Sequence, residues 1–258
     1  MKWPIELQLF RHSQSEYNVL RQKKAADPRY REFKQAYSRN HRSLLARALA
    51  EEMREKYALG VSDYDTPLTN EGVVQAERTA DICRLDTNVK IPDIIFCSPY
   101  IRTKTTLGHM CRVWAALGAV KVVYDDRIRE QEHGRSLLYN DWRIFHVYEP
   151  DQKDLYKLLG PYWYQYPQGE SVSDVRNRLR SFQSMLIREC AGLRVWLITH
   201  HLSILSIRAN LERLSPEEFI HLDEKEKPVN CGRTVYTGRP ELGKYGRLVL
   251  TSYNQKLY

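Results

Sequence analysis

Cysteine is scarce in this sequence, and long apolar runs are missing. The five cysteines form an odd set with no CxxC spacing, which argues against both a disulfide framework and a metal-binding cluster. No stretch approaches the roughly 18 consecutive apolar residues of a membrane span, and the first residues lack the apolar core of a signal peptide. These absences predict a protein of the reducing cytoplasm that holds no metal and does not associate with a membrane.

Internal repeats, low-complexity tracts and long linkers are also missing. Of the 258 residues, 42% are hydrophobic and 28% are charged, which is the composition of a soluble globular protein. The length suits one large α/β domain or two small ones. Because no linker divides the chain, a single domain over residues 1–258 is the simpler prediction.

Positive charge is concentrated in residues 19–60, which we call the basic segment. It holds eleven Lys or Arg against five acidic residues, which leaves +6 of the chain's net +8. Apolar residues at helical spacing predict a helical insertion. The segment is either a solvated helical face or a basic rim that attracts anionic substrates. Nothing in the sequence resembles a helix-turn-helix, an RNA-binding motif or a zinc finger, so it argues against nucleic acid as a partner.

Alternating strand and helix patterns predict an α/β fold, a three-layer sandwich with a mostly parallel central sheet flanked by helices. Strands are predicted at residues 5–11, 94–97, 120–124, 195–199, 234–236 and 247–251. Helices are predicted at about residues 70–84, 100–117, 171–191 and 202–213.

The first polar motif, Arg11-His12-Ser13, stands at the C-terminal end of the first predicted strand. Ligands bind at that edge of open α/β sheets. Arginine can hold a phosphate through two parallel hydrogen bonds, and neutral imidazole is a usable nucleophile at physiological pH. Taken alone, this dipeptide is more readily a strand-end ion pair, so its interpretation depends on the motifs further along the chain.

Three more polar motifs follow predicted strands. The first runs from Ser98-Pro99 to Arg102, where proline opens a helix and the arginine falls in its first turn, beside backbone N–H groups that favour an anion. The second surrounds Glu130, and the third is Thr199-His200-His201. Parallel strands bring their C-terminal ends to one edge, so we expect these motifs to converge on one cleft.

In this order, the motifs resemble those of the histidine phosphatase superfamily, also called the phosphoglycerate-mutase-like family. Its signature is Arg-His-Gly, then Ser-Pro-x-x-Arg, Leu-Arg-Glu and a late Ser-His-Gly. Residues 67–76 are similar to the family's Leu-Thr-x-x-Gly-x-x-Gln-Ala, and residues 167–171 are similar to its Pro-x-Gly-Glu-Ser. The resemblance runs from residue 5 to about residue 210. Residues 129–131 and 164–171 look most like the broad-range acid phosphatase branch.

The resemblance implies a metal-independent phosphatase without a cofactor, acting on a phosphorylated small molecule or a phosphopeptide. His12 would take the phosphoryl group as phosphohistidine. Arg11 and Arg102 would clamp the phosphoryl oxygens, and His200, if protonated, would add a third positive group. Glu130 would give a proton to the leaving oxygen and then take one from the attacking water.

Ser15 and Asn18 match family positions that contact the phosphate or hold its loop. The other acidic residues have weaker claims. Glu132 is a rival to Glu130 as the acid, although the spacing favours Glu130, and Glu170 is expected to brace a helix start through Ser171.

The chain departs from the family pattern where Ser13 and His201 replace glycines. Glycine allows close backbone approach. Ser13 is small, and its hydroxyl could donate to the phosphate, whereas His201 is bulkier and could point away from the cleft.

Three alternatives to a phosphatase stay open at this point. The first is a phosphoglycerate-type mutase, which returns the phosphoryl group to its substrate and which the basic segment could shield from water. The others are a weakly active or inactive phosphate-binding relative and a nucleic-acid binder. The sequence does not indicate the physiological substrate or the oligomeric state.

Overall fold

The computed structural model describes residues 2–258, which fall into two compact units. The first unit is formed by the chain up to Ser15, by Tyr64–Glu130 and by Asp174–Tyr258. The second unit is formed by Glu16–Asp63 and Gln131–Ser173. The prediction of one domain over residues 1–258 stays a prediction. Within the described residues, no helix combines the length and the apolar character needed to cross a lipid bilayer.

The first unit is built on a six-stranded sheet. Its strands are β1 (Glu6–Arg11), β2 (Ile94–Cys97), β3 (Val122–Tyr124), β4 (Arg194–Thr199), β5 (Arg233–Arg239) and β6 (Arg247–Gln255). They lie in the order β3-β2-β4-β1-β5-β6. The first four in that order pair in parallel, while β5 pairs antiparallel with β1 and β6. The predicted mixed α/β fold with a mostly parallel sheet is therefore confirmed.

Ten helices accompany the sheet among the residues described. They are α1 (Glu16–Ala26), α2 (Pro28–Asn40), α3 (Leu44–Lys56), α4 (Asn70–Leu85), α5 (Ile101–Val113), α6 (Trp142–Tyr148), α7 (Pro150–Trp163), α8 (Val172–Glu189), α9 (His201–Glu212) and α10 (Pro216–Lys225). Helices α4, α5, α8, α9 and α10 belong to the first unit, apart from the first two residues of α8.

The centre of the sheet is almost entirely apolar because both of its faces are covered. Leu7 and Leu9 in β1 and Val195 and Leu197 in β4 have no solvent exposure. Phe10 packs against Trp196, with ring centroids 4.8 Å apart. Near-continuous apolar strands are typical of a buried parallel sheet, and this pattern is what made β1, β2 and β4 predictable.

Several elements differ from the predicted bounds, and the largest differences at a single end are in one helix and one strand. The helix predicted at 100–117 ends at Val113, because Trp114 leaves the helical conformation and packs its ring against Trp196; a short 3-10 helix, Ala115–Ala119, follows. Strand β6 runs on to Gln255, beyond the predicted 251. Its second half is polar and lies at the edge of the sheet, so no apolar pattern marks it.

The second unit is helical, and the basic segment supplies most of α1, α2 and α3. Phe33, Leu49, Met53 and Ile144 form its apolar core. Lys24, only 3% exposed, lies 3.2 Å from Asp141, whose carboxylate also caps α6. The helices predicted for the basic segment are thus present, and its charged residues include one that is buried and paired. That the segment is an insertion stays a prediction.

Candidate active site

The ends of the parallel strands bring the predicted motifs together in the first unit. Arg11 pairs with Thr199 in the register of β1 and β4, and the His12 N–H donates to the Thr199 carbonyl at 2.9 Å. The next residues of the two strands, His12 and His200, then lie side by side with ring centroids 5.2 Å apart. Both are buried, at 3% and 0% exposure.

One hydrogen bond fixes the orientation and the tautomer of His12. Its Nδ1 lies 2.7 Å from the carbonyl oxygen of Ser13. A carbonyl can only accept, so Nδ1 carries the proton and the Nε2 lone pair is left for chemistry. The Cys231 N–H and the Asn230 side-chain amide both donate to the His12 carbonyl, which holds the backbone of His12 in place.

His200 is positioned by the residues that follow β2. Its Nε2 lies 2.7 Å from Ser98 Oγ, and the Tyr100 ring packs edge-on against the imidazole at 5.0 Å. The Nδ1 atom is buried and has no hydrogen-bond partner among residues 2–258. A buried polar atom in this state is costly, and an anion that accepted a hydrogen bond from it would remove the cost.

Two guanidinium groups supply the positive charge of the site. Arg102 is 4% exposed, lies in the first turn of α5 and sits over the Tyr100 ring at 4.7 Å. Arg11 Nη1 donates to the Pro228 carbonyl at 2.7 Å. Burial, Arg102 and Arg11 together lower the pKa of His12 well below its usual value. Burial, followed by Arg102, also lowers the pKa of His200.

Both imidazoles are therefore neutral at physiological pH while the site holds no anion. A phosphoryl dianion at the site would raise both pKa values again, since an opposite charge nearby favours the protonated form. The neutral His12 ring, with its proton held on Nδ1, presents the Nε2 lone pair to the site, and the charge of His200 would depend on a bound anion.

Glu130 reaches the same edge from the segment after β3. The Leu202 N–H, in the first turn of α9, donates to Glu130 Oε1 at 3.2 Å. Arg178 of α8 holds the backbone of this segment by donating to the carbonyls of Arg127 and Glu130 at 2.7 and 2.9 Å. A carboxylate is thus fixed at the N-terminus of the helix that begins beside His200.

The start of α4 holds the loop that carries His12, and this explains the motif at residues 67–76. The Thr69 N–H and hydroxyl donate to the Gln14 backbone and side-chain oxygens, and the Gln14 N–H donates to Gln75. At Gly72, a Cβ would lie 2.1 Å from the Gln14 carbonyl oxygen. Ser15, also buried, pairs with Leu68 in an antiparallel bridge.

Ser13, which replaces a family glycine, lies against Thr106 on α5. The Thr106 hydroxyl accepts from the Ser13 N–H at 3.0 Å, and the Ser13 and Thr106 hydroxyl oxygens lie 3.1 Å apart, within hydrogen-bond distance. The Ser13 side chain thus packs against α5, and the expectation that its hydroxyl could donate to phosphate stays a prediction. Ser13 has no solvent exposure and fits beside Thr106. The loop therefore accommodates serine in place of the family's glycine and stays packed.

Several residues with predicted roles lie in the second unit. Asn18 is in the first turn of α1. The Glu132 N–H donates to the Glu170 carboxylate at 3.1 Å, and the Glu170 N–H donates to the Glu132 carbonyl at 2.8 Å. Glu170 thus links its own segment to the segment that contains Glu132. The sequence predicted for Glu170 only a role at the start of a helix, so this contact is an addition to that role.

Three residues that contribute to the site could not be identified from sequence motifs. Pro228 and Asn230, which contact Arg11 and His12, lie between α10 and β5, outside every recognised motif. Arg178 is one of four arginines on α8, and only its contacts distinguish it. The side chain of Ser98 was part of a recognised motif, but its pairing with His200 required the fold.

Comparison with known families matches residues 50–241 to the sequence profile of the histidine phosphatase superfamily (branch 1). The matched range includes Arg102, Glu130 and His200. Arg11 and His12 precede the matched range, and most of the basic segment lies between them and the start of that range at residue 50.

Two curated relatives from Arabidopsis thaliana are similar to part of the chain. The phosphoglycerate mutase-like protein AT74 is 29% identical over 144 residues, which cover 54% of this chain and 43% of the relative. The phosphoglycerate mutase-like protein AT74H is 28% identical over 135 residues, or 49% of this chain and 46% of the relative. The alignment thus spans less than half the length of each relative.

Solved structures are similar over nearly the whole chain. A mycobacterial glucosyl-3-phosphoglycerate phosphatase in complex with inorganic phosphate has a TM-score of 0.62 at 18% identity, with 98% of both chains covered. The alpha-ribazole phosphatase from Shigella flexneri has a TM-score of 0.63 at 14% identity, with 97% of this chain and 96% of that chain covered. At these identities, the likeness is one of fold.

Proposed function

The chain belongs to the histidine phosphatase superfamily, and on that basis we propose that it is a metal-independent phosphatase that hydrolyses phosphomonoesters through a phosphohistidine at His12. The observation that carries the proposal is the pair of buried, neutral imidazoles 5.2 Å apart, with Arg102 and Arg11 close enough to lower the pKa of both.

In the first step, the lone pair on His12 Nε2 attacks phosphorus as the ester P–O bond breaks. The Ser13 carbonyl supports this step because it keeps the proton on Nδ1. Glu130 gives its proton to the departing alkoxide, so the alcohol leaves neutral. In the second step, water attacks the phosphohistidine, Glu130 takes a proton from that water, and inorganic phosphate is released.

The positive groups act mainly on the transferring phosphoryl. Arg11 and Arg102 bind its oxygens and offset the charge that spreads over them, which is most of what this chemistry requires. His200 donates to the same group once the bound dianion has raised its pKa. Ser15 holds the loop or contacts the phosphate in this proposal, which calls for no metal or cofactor. The same role for Asn18 stays a prediction.

The names of the similar proteins are consistent with this chemistry. Two solved structures of like fold are phosphatases of phosphorylated small molecules by name. We therefore propose a phosphorylated small molecule or a phosphopeptide as the substrate. The resemblance to the broad-range acid phosphatase branch and the cytoplasmic location stay predictions.

The test is release of inorganic phosphate from a panel of phosphorylated metabolites, phosphopeptides and aryl phosphates. Wild type is expected to release phosphate, and His12→Ala to release none above background. His221→Ala is the matched control, because this histidine is exposed on α10, and it should keep wild-type rates.

Each rival predicts a different result in the same assay. A mutase would form an isomerised phosphate ester without free phosphate, and this outcome would overturn the hydrolase. A phosphate-binding relative would bind phosphate while wild type and His12→Ala were equally inactive on every substrate.

A further inference from the structure

His201 stands where the superfamily pattern has glycine, and the fold gives it a partner. It is the first residue of α9, directly after His200. Its Nε2 lies 2.7 Å from Oδ1 of Asp223 on α10, and the two side chains are 16% and 28% exposed. The imidazole is therefore mostly removed from solvent and held against a carboxylate from a neighbouring helix.

The site described above begins at the same helix start. Leu202, the next residue, donates its N–H to Glu130. Besides Asp223, the charged or titratable groups near this helix start include Glu130 and His200, which directly precedes His201. They also include His12, whose pKa is lowered in part by His201, and Lys227, whose Nζ lies 3.9 Å from the Asp223 carboxylate. Arg11 and Arg102 act on the same His12. His201 is thus close enough to influence the nucleophile.

A positive charge is unfavourable at this position unless something offsets it. The N-terminus of a helix carries a partial positive charge, which repels a cation and attracts an anion. Asp223 supplies the compensating negative charge from outside the helix. A bound phosphoryl dianion would supply more, since it would lie near the helix start and between the positive groups of the site.

We propose that His201 and Asp223 form a charge pair that strengthens binding of the phosphoryl dianion. Asp223 holds the His201 ring at the start of α9, and a positive charge on that ring would add to the field of Arg11 and Arg102. His201 is a positioning residue in this scheme, because it acts through its field and not by touching the reacting atoms. The inference rests on the proposed phosphate site, but not on turnover.

The direct test is the affinity for inorganic phosphate, measured by calorimetry at pH 6 and low ionic strength. His201→Gln removes the charge and keeps a polar side chain of similar reach. We expect it to weaken phosphate binding by about three- to tenfold, as loss of a nearby, partly offset charge should. Added salt should reduce this difference.

Lys227→Gln is the matched control. Lys227 is also a cation near Asp223, but its side chain is 49% exposed. Solvent screens such a charge, so we expect less than a twofold change. An equal loss in both variants would show that the binding responds to net charge alone and would overturn the role given to the pair.

Asp223→Asn gives a test of sign. Removing a negative charge near the pocket would by itself strengthen phosphate binding. If Asp223 instead keeps His201 charged, its loss should weaken binding, and it should have no weakening effect in the His201→Gln background. Tighter binding by Asp223→Asn in the wild-type background would contradict the proposal.

A second readout distinguishes the electrostatic role proposed for His201 from a purely structural one. It is the pKa of His12, measured by NMR of its ring nitrogens. We expect this pKa to rise in His201→Gln and in His201→Gly, because a neighbouring positive charge has been removed. An unchanged pKa together with unchanged phosphate affinity in folded variants would overturn the inference. If wild type binds phosphate with these dependences but never releases it from esters, the hydrolase proposal fails and the charge pair stands.

Discussion

At the scale of single residues, the proposed chemistry depends on keeping two imidazoles neutral beside two guanidinium groups. The burial of His12 and His200 lowers both pKa values, and Arg102 and Arg11 add to the effect. The sequence could indicate these residue types because each follows a strand. It could not show that Ser13 lies against Thr106, or that His201 lies beside Asp223, because both contacts join segments far apart in the chain.

Arg102→Ala tests the clamp. The buried guanidinium should contribute as much as a lost oxyanion donor, so we expect kcat/KM to fall about 10²- to 10³-fold. Arg112→Ala, an exposed arginine in the last turn of the same helix, is the control and should keep wild-type kinetics. Steady-state assays that put Arg102→Ala within tenfold of wild type would contradict the clamp.

Glu130→Gln tests proton transfer to the leaving group. The amide can still accept the Leu202 N–H, but it cannot deliver the proton. Alkyl phosphates, whose alkoxides need protonation, should lose much more activity than p-nitrophenyl phosphate, whose phenolate leaves unaided. An equal loss of kcat/KM on both substrates would argue against a general acid at this position.

At the scale of elements, the site depends on how closely α4 and α5 approach the loop after β1. Thr69, Gly72 and Gln75 all contact Gln14, two residues beyond His12. The motif was recognisable in the sequence, but its purpose was not, since nothing local says which backbone a helix start will meet. For the same reason, the sequence could not show that Arg178 donates a hydrogen bond to the Glu130 carbonyl.

Gly72→Ala should displace this loop. The added Cβ would meet the Gln14 carbonyl oxygen at 2.1 Å, and backbone must move to relieve the contact. We expect a loss of about 1–3 kcal/mol in the free energy of unfolding and a lower kcat.

Gly108→Ala on α5 is the control for Gly72→Ala. Nothing lies within 4 Å of its added Cβ, so the better helix propensity of alanine should stabilise by up to about 1 kcal/mol. Urea unfolding measures both variants. An equal response of the two would refute the close approach at Gly72.

At the scale of the whole molecule, the sheet was the most predictable part, because continuous apolar runs mark buried parallel strands. The strand ends then placed Arg11, His12, Arg102, Glu130 and His200 in one unit. Sequence patterning could not show the division of the chain into two compact units. That division depends on which helices share a core. The spacing of apolar residues predicts which face of a helix is buried, but it does not predict which other helix packs against that face.

Stability should fall as the pH is lowered, because several histidines are buried in neutral form. The pKa of His12, His200 and His41 is lowered mainly by burial, and burial lowers the pKa of His146 to about 4. The unfolded chain binds protons near pH 6.5 whereas the folded chain does not. The loss of unfolding free energy caused by these buried histidines is therefore absent above about pH 6.5, and it grows as the pH falls toward their pKa values in the folded state.

For His146, this linkage costs about 1.4 kcal/mol per pH unit below 6.5, or about 2 kcal/mol at pH 5. Urea unfolding at pH 7 and pH 5 measures it, and His146→Phe should reduce the pH dependence by about that amount. His221→Ala serves as the exposed control. If His146→Phe leaves the difference between the two pH values unchanged, the buried histidine does not cause it.

The most direct test of the central claim is to trap the phosphoenzyme. Wild type is mixed with a phosphomonoester for milliseconds, quenched in base and digested, and the phosphorylated residue is located by mass spectrometry. The phosphoryl group should be found on His12, and it should be missing from His12→Ala. Steady release of phosphate with the label on another residue, or with His12→Ala still active, would contradict the account.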